Sequence, residues 1–244
     1  MRVYELIKET YFRRAHIRIV HTSWLLIYAL LFLIPFSEEV WSWGPLLFAW
    51  SGCLLPLLIS AGIFGDDIAT GRIGVLITKP MWIASLYVYR TIGLSLQCAV
   101  HLVLAGSIIF ILHDITGRGS SRNLGLWILA TWLLSVTWIA LSVALSVLVK
   151  RDHNTIILIL ATIGVFMLVS FLVSFSSEGV LTTVVMKIVK YALPPVELLF
   201  LLGNAKHSAT QGIGAVLHTL GLTTLYCVCG IVLLSKREFR CERD

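Results

Sequence analysis

Six stretches of the chain stay apolar for about 20 residues, the length a helix needs to cross a bilayer. They run from Ile19 to Phe36, Pro45 to Phe64, Ile92 to Leu112, Leu124 to Val149, Thr155 to Phe175 and Gly214 to Leu234. Each predicts a transmembrane helix, and their central portions contain no Asp, Glu, Lys or Arg. The leader before the first stretch is too charged to span. Val3, Leu6, Ile7, Tyr11 and Ala15 nevertheless give it an apolar stripe near helical spacing. Residues 1–18 therefore read either as an amphipathic helix in the membrane interface or as a solvated basic leader that sets topology. The first span ends in Ser-Glu-Glu with no small-residue cleavage pattern, so it is expected to persist rather than act as a signal peptide.

Two connections are longer than helix turns require. Between spans two and three lies GDDIATGRIGVLITKPMWIASLYVYR, Gly65 to Arg90, which mixes paired acids, glycines, basic residues and a proline. Connections of this length usually have a task of their own. Val75, Leu76 and Ile77 form a short apolar group there, bounded by Gly71 and Gly74 before and Pro80 after. The pattern predicts a short surface helix suited to a soluble partner. The second long connection, residues 176–213, repeats apolar residues at Val180, Leu181, Val184, Val185, Ile188 and Val189. It predicts an outer interfacial or re-entrant helix that Pro194-Pro195 must end.

Composition agrees with this pattern: 58% of the 244 residues are hydrophobic and 13% charged, where a soluble domain carries about a quarter charged. That balance excludes a soluble globule, a disordered chain and a disulfide-rich secreted module. The net charge of +6 is spread over short inter-span segments, which argues for a membrane surface and against nucleic acid. With the amino terminus inside, 14 of the 19 Lys and Arg residues fall on the cytoplasmic side. Both termini are then expected in the cytoplasm, with residues 19–234 forming the membrane domain and 235–244 a cytoplasmic tail.

Known catalytic patterns are missing from the sequence. There is no GxxxxGK[ST] loop to cradle phosphate, no HExxH and no GxSxG, and no cysteine pair has zinc or redox spacing. No catalytic residue, metal site or cofactor is expected. His101 and His218 fall inside predicted spans, where an ionisable group invites a functional reading. An alternative function is thus a haem- or metal-handling multi-pass protein using these histidines or the outer His113 and His207. A membrane anchor that scaffolds other subunits is a third.

The order of spans and the segment after span two resemble the permease subunits of type 2 ABC exporters. In that family the segment commonly reads as an acidic cluster, Gly-Thr, an apolar triplet, Pro, then a basic residue near the start of span three. Here Asp66-Asp67, Gly71, Val75-Leu76-Ile77, Pro80 and Arg90 match it, while Ala69, Arg72 and Ile83 depart from it. The resemblance implies an all-α integral membrane protein with six spans, a cytoplasmic amphipathic helix, a coupling helix at 65–80 and short outer helices before span six. It further implies export from a bacterial inner membrane, a homodimer or a pairing with a related permease, and separate ATPase subunits that bind the ATP. Asp66, Asp67, Gly71, Arg72, Val75, Leu76 and Pro80 would form the ATPase-coupling site, with Val75 and Leu76 as apolar anchors. The substrate-binding residues are not implied.

Overall fold

A computed structural model of the protein describes residues 3–12, 55–57, 59–60, 62–77, 82–116, 124–148 and 209–236, with isolated positions at 153, 156–157, 160, 164, 183–184 and 187. The described residues are helical apart from short turns and include no strand. We number the helices α1 (Val3–Phe12), α2 (Ile63–Ala69), α3 (Arg72–Ile77), α4 (Ile83–Thr116), α5 (Leu124–Ser146) and α6 (Ala209–Lys236).

Three helices are long and apolar enough to cross a membrane: Ile83–Ile108 within α4, Leu124–Ser146, and Gly212–Lys236 within α6. They mark the chain as a membrane protein and coincide with the third, fourth and sixth expected spans. The first and fifth expected spans, the outer segment 176–213 and the tail lie almost wholly or wholly outside the described residues. Of the second, residues 55–57 and 59–60 are helical. Gly62 then takes a left-handed conformation, φ 68°, which a side chain would strain. The helix is broken there, and Phe64 belongs to α2 rather than to span two.

α4 also begins earlier than expected, at Ile83 instead of Ile92. Its 34 residues reach about 51 Å at 1.5 Å per residue, against a hydrocarbon core of about 30 Å. The first turns of α4 can therefore stand outside the core, and they carry Tyr87 and Arg90.

Cross-helix contacts fix the directions of the bundle. Going up α4, Tyr87 meets Ala140, Ser95 meets Trp132 and Gly106 meets Ile128, so α4 and α5 are antiparallel. Trp132 Nε1 donates to the Ser95 carbonyl at 3.2 Å. α6 packs Ala215 and Val216 against the cluster holding Ala130 and Leu134, and Thr223 meets Thr137 at 2.8 Å. Further on, Leu234 shares a cluster with Val143 and Val147. α5 and α6 thus run in the same direction.

α1 lies across α4 at Gly93. A methyl group at Gly93 would stand 2.9 Å from Thr10 Cβ and 3.1 Å from the Ile7 carbonyl oxygen, so only glycine allows this approach. Leu6 and Thr10, one turn apart, are the buried positions of α1, while Tyr4, Glu5, Lys8 and Phe12 are exposed. The expected stripe is present at Leu6, with Thr10 as its polar continuation. Residues 13–18 of the leader are outside the description.

Candidate functional site

The segment after span two is a helix, a tight turn and a second helix. The Asp66 carbonyl accepts the Thr70 N–H at 3.0 Å and the Thr70 hydroxyl at 2.7 Å, ending α2. Gly71 follows with φ 68°, the left-handed value that ends helices and that favours glycine. Its N–H donates to Ile68 and its carbonyl accepts from Gly74, which starts α3 one residue later. Ala69 and Thr70 at the tip are exposed, and Gly71, Arg72 and Gly74 are half-exposed.

Two contacts set this segment on α4. Phe64 and Asp67 stand three residues apart on α2, and Tyr87 and Arg90 stand three apart on α4, so each pair shares one helix face. The rings of Phe64 and Tyr87 stack with centroids 5.6 Å apart and planes 9° from parallel. Arg90 Nη2 donates to Asp67 Oδ2 at 3.1 Å, and both side chains are fully buried. The two rungs rise together, which makes α2 parallel to the start of α4 and fixes both its rotation and its register. A third contact comes from α5: the Phe64 N–H, unpaired within its own helix as the first-turn amides are, donates to Ser146 Oγ at 3.4 Å.

α1 closes the charged rung from the other side. Arg90 Nη1 donates to Glu9 Oε1 at 3.2 Å and to Thr10 Oγ1 at 2.8 Å. Thr10 in turn donates to the Leu6 carbonyl at 2.7 Å, so its hydroxyl accepts and donates at once. Glu9 Oε1 also receives Arg72 Nη2 at 2.8 Å. Two carboxylates and two guanidinium groups therefore alternate as Arg72, Glu9, Arg90 and Asp67, drawn from α3, α1, α4 and α2. The group is neutral when all four are ionised. The complete burial of Asp67 and Arg90 is tolerable only because each has a charged partner.

The residues singled out from the sequence fall in different places. Asp67 and Arg90 meet each other in the interior. Asp66 is half-buried, Gly71 makes the turn, and Arg72 keeps 41% of its side chain exposed while holding Glu9. Leu76 is buried in the core with Ile73, Leu86 and Leu94, so its side chain faces the protein. Val75 belongs to α3, its side chain being outside the description, as is Pro80. His101 is buried on α4 and His218 half-buried on α6. Among the described residues no group of three or more His, Cys, Asp or Glu could hold a metal ion. His207 lies outside them and His113 is known only by its backbone in α4.

Sequence reasoning missed Glu9 and Thr10. Glu9 was visible as one of two acids, with Glu5, in a leader of mainly basic charge, and Thr10 as a polar residue one turn after Leu6 on the apolar stripe. Neither signal names a partner some 80 residues away. No protein-family model matches the chain, and neither does any curated protein.

Proposed function

We propose that the protein is the membrane-spanning permease subunit of an ATP-binding cassette transporter, working as a homodimer or with a related permease. Separate ATPase subunits dock on the 65–80 segment, and ATP is bound and hydrolysed there rather than in this chain. The observation that carries this reading is the α2–α3 hairpin. It offers a small, partly polar tip at Ala69 to Arg72 while its base is clamped to a spanning helix by a buried ion pair and a stacked ring. A loop that merely joined two spans would need no such clamp. A soluble subunit pushing on the tip, by contrast, works through a base that cannot turn independently of α4.

This reading alters the expected division of labour within the segment. Among the described residues, Thr70 and Arg72 are polar side chains available for docking, whereas Leu76 anchors α3 to the core. Arg72→Asp is then the docking variant, and Leu76→Asp is a folding variant. The directions of the helices support six spans with both ends cytoplasmic. α5 and α6 cross in the same direction, so a chain that crosses in both must return between them, and the span expected over Thr155 to Phe175 supplies that crossing. Similarly, α1 and α2 meet the same end of α4, which is consistent with the two crossings expected over Ile19 to Phe36 and Pro45 to Phe64. The distribution of Lys and Arg favours that end as the cytoplasmic face, and the resemblance implies that the membrane is a cell inner membrane.

The deciding experiment is purification of the tagged protein from its own membranes in mild detergent, with identification of co-purifying subunits and an ATPase assay on the same sample. A Walker-motif subunit at near-equal stoichiometry is the expected result. Its absence in several detergents, with the chain itself intact, overturns the permease reading.

A further inference from the structure

The Tyr87 side chain touches three helices other than its own. Its ring stacks on Phe64 of α2, its hydroxyl donates to the Ala140 carbonyl of α5 at 3.2 Å, and the ring lies over Gly230 of α6. A Cβ at Gly230 would overlap the Tyr87 hydroxyl, Cε2 and Cζ, so α6 approaches as closely as its backbone permits. The ring is fully buried. Being planar, it has few ways to yield when one of its neighbours moves. A flexible side chain in this position would absorb a displacement of α2 by changing rotamer. Tyr87 instead meets Phe64 on one side and the α6 backbone on another, while its hydroxyl holds it to α5.

We infer that Tyr87 is the positioning residue that makes α5 and α6 respond to a displacement of the α2–α3 hairpin. The inference rests on the permease reading, because that reading supplies the displacing subunit. It adds which side chain carries the movement and which helices receive it. Arg90, one turn further along α4, fixes α2 to α4 and α1 through charge. Tyr87 extends that attachment to the two helices that the charged group does not reach.

The test uses the full chain with its co-purified ATPase, reconstituted in lipid nanodiscs, with the native cysteines replaced. Spin labels are placed at Leu148 and Ser235, two exposed positions at the ends of α5 and α6. Interspin distances are measured by double electron–electron resonance with and without ATP plus vanadate. Trapping nucleotide is expected to shift the distance distribution in the parent and in Tyr87→Phe, which keeps the ring. Tyr87→Leu should lose most of that shift while still retaining the ATPase at the parent's stoichiometry. A Tyr87→Leu protein that binds the ATPase and shifts like the parent overturns the inference and leaves the permease reading standing. A parent that captures no ATPase overturns the permease reading, and the inference falls with it. A parent that captures the ATPase but shows no shift on trapping overturns the inference alone.

Discussion

The junction of α1, α2, α3 and the start of α4 is built differently from the bundle of α4, α5 and α6 that it adjoins. In the junction, four charged side chains from four helices meet at distances of 2.8 to 3.2 Å. In the bundle, most hydroxyls bond within their own helix: Ser135 to Thr131, Thr91 to Tyr87, and Thr219 to Ala215. Helices in lipid gain little hydrophobic free energy by leaving it for one another, so small residues and close packing hold them. An interface of that kind holds no charge that a displacement would leave unpaired. The buried Asp67–Arg90 pair at the centre of the junction admits only arrangements in which both charges stay paired, because a buried charge without a partner is costly. The junction is therefore held by charge pairing, and the bundle by close packing.

The sharpest way to break the contrast is to remove one member of the buried rung. Asp67→Ala leaves Arg90 with Glu9 and Thr10 but strips the partner of Nη2, and it should destabilise the protein by about 3–5 kcal/mol. The measurement is thermal unfolding in detergent, read by loss of the monodisperse peak. Replacing both partners, Asp67→Leu with Arg90→Met, should recover much of the loss, since an apolar pair of similar volume needs no charge compensation. Asp67→Ala with an unchanged midpoint would show that the rung contributes nothing to stability.

Within the bundle, Gly230→Ala places a methyl group where the Tyr87 ring already lies, and overpacking of this kind costs about 1–3 kcal/mol. Gly221→Ala on the same helix is the control. A Cβ there meets nothing within 4 Å, and alanine favours a helix over glycine by about 0.5–1 kcal/mol. The two substitutions should shift the unfolding midpoint in opposite directions. Adding Tyr87→Ala to Gly230→Ala should cost less than the sum of the single changes, because the clash is gone. Additive losses would mean that the ring and the glycine do not meet.

These two tests also separate what was legible in the sequence from what was not. α5 occupies Leu124–Ser146 against an expected Leu124 to Val149, because hydropathy alone decides where such a helix can lie. α4 escaped the same reasoning at one end. A hydropathy window stops at Arg90, whereas the helix continues to Ile83 because Asp67, Glu9 and Thr10 neutralise and hydrogen-bond that arginine from distant points in the chain. The resemblance that drew attention to Asp67 and Arg90 concerned a surface facing a partner. Their burial against each other depends on the chain turning at Gly62 and Gly71, and nothing in a linear motif states that Phe64 and Tyr87 stack one turn away. The exposed tip follows from that same turn, which is why Leu76 looked like an anchor for another protein and proves to be a core residue.

A smaller effect is expected where α5 meets α6. The Thr137 and Thr223 hydroxyls stand 2.8 Å apart, and Thr223 Oγ1 also lies 2.8 Å from the Thr219 carbonyl. Each hydroxyl has a single proton, so whichever threonine donates across the bridge gives up the bond to its own helix, Thr137 to the Leu133 carbonyl at 3.1 Å or Thr223 to that of Thr219. Thr137→Val removes that bridge and keeps the volume. Interhelical hydrogen bonds in membranes average about 0.6 kcal/mol, and the unfolding midpoint should fall only slightly. A loss comparable to that of Asp67→Ala would erase the distinction between a junction held by buried charge and a bundle held by packing.

The smallest effect on stability is expected at the outer edge of the junction. Arg72 is 41% exposed in its side chain and its partner Glu9 is also held by Arg90, so Arg72→Gln removes a charge pair that water largely screens. Exposed pairs contribute about 0.2–1 kcal/mol, less in high salt, and Glu9 keeps its buried partner. The unfolding midpoint should change little, and what difference there is should vanish as salt is raised. On the proposed permease function, recovery of a co-purifying ATPase should nevertheless drop, because Arg72 is a charged side chain beside the exposed turn. Stability and docking would then separate at one residue: the guanidinium buried at Arg90 holds the hairpin in place, and the one left partly in water at Arg72 is available to a partner. If Arg72→Gln instead unfolds the protein as Asp67→Ala does, the outer pair belongs to the rigid part of the junction and is not the surface on which a partner acts.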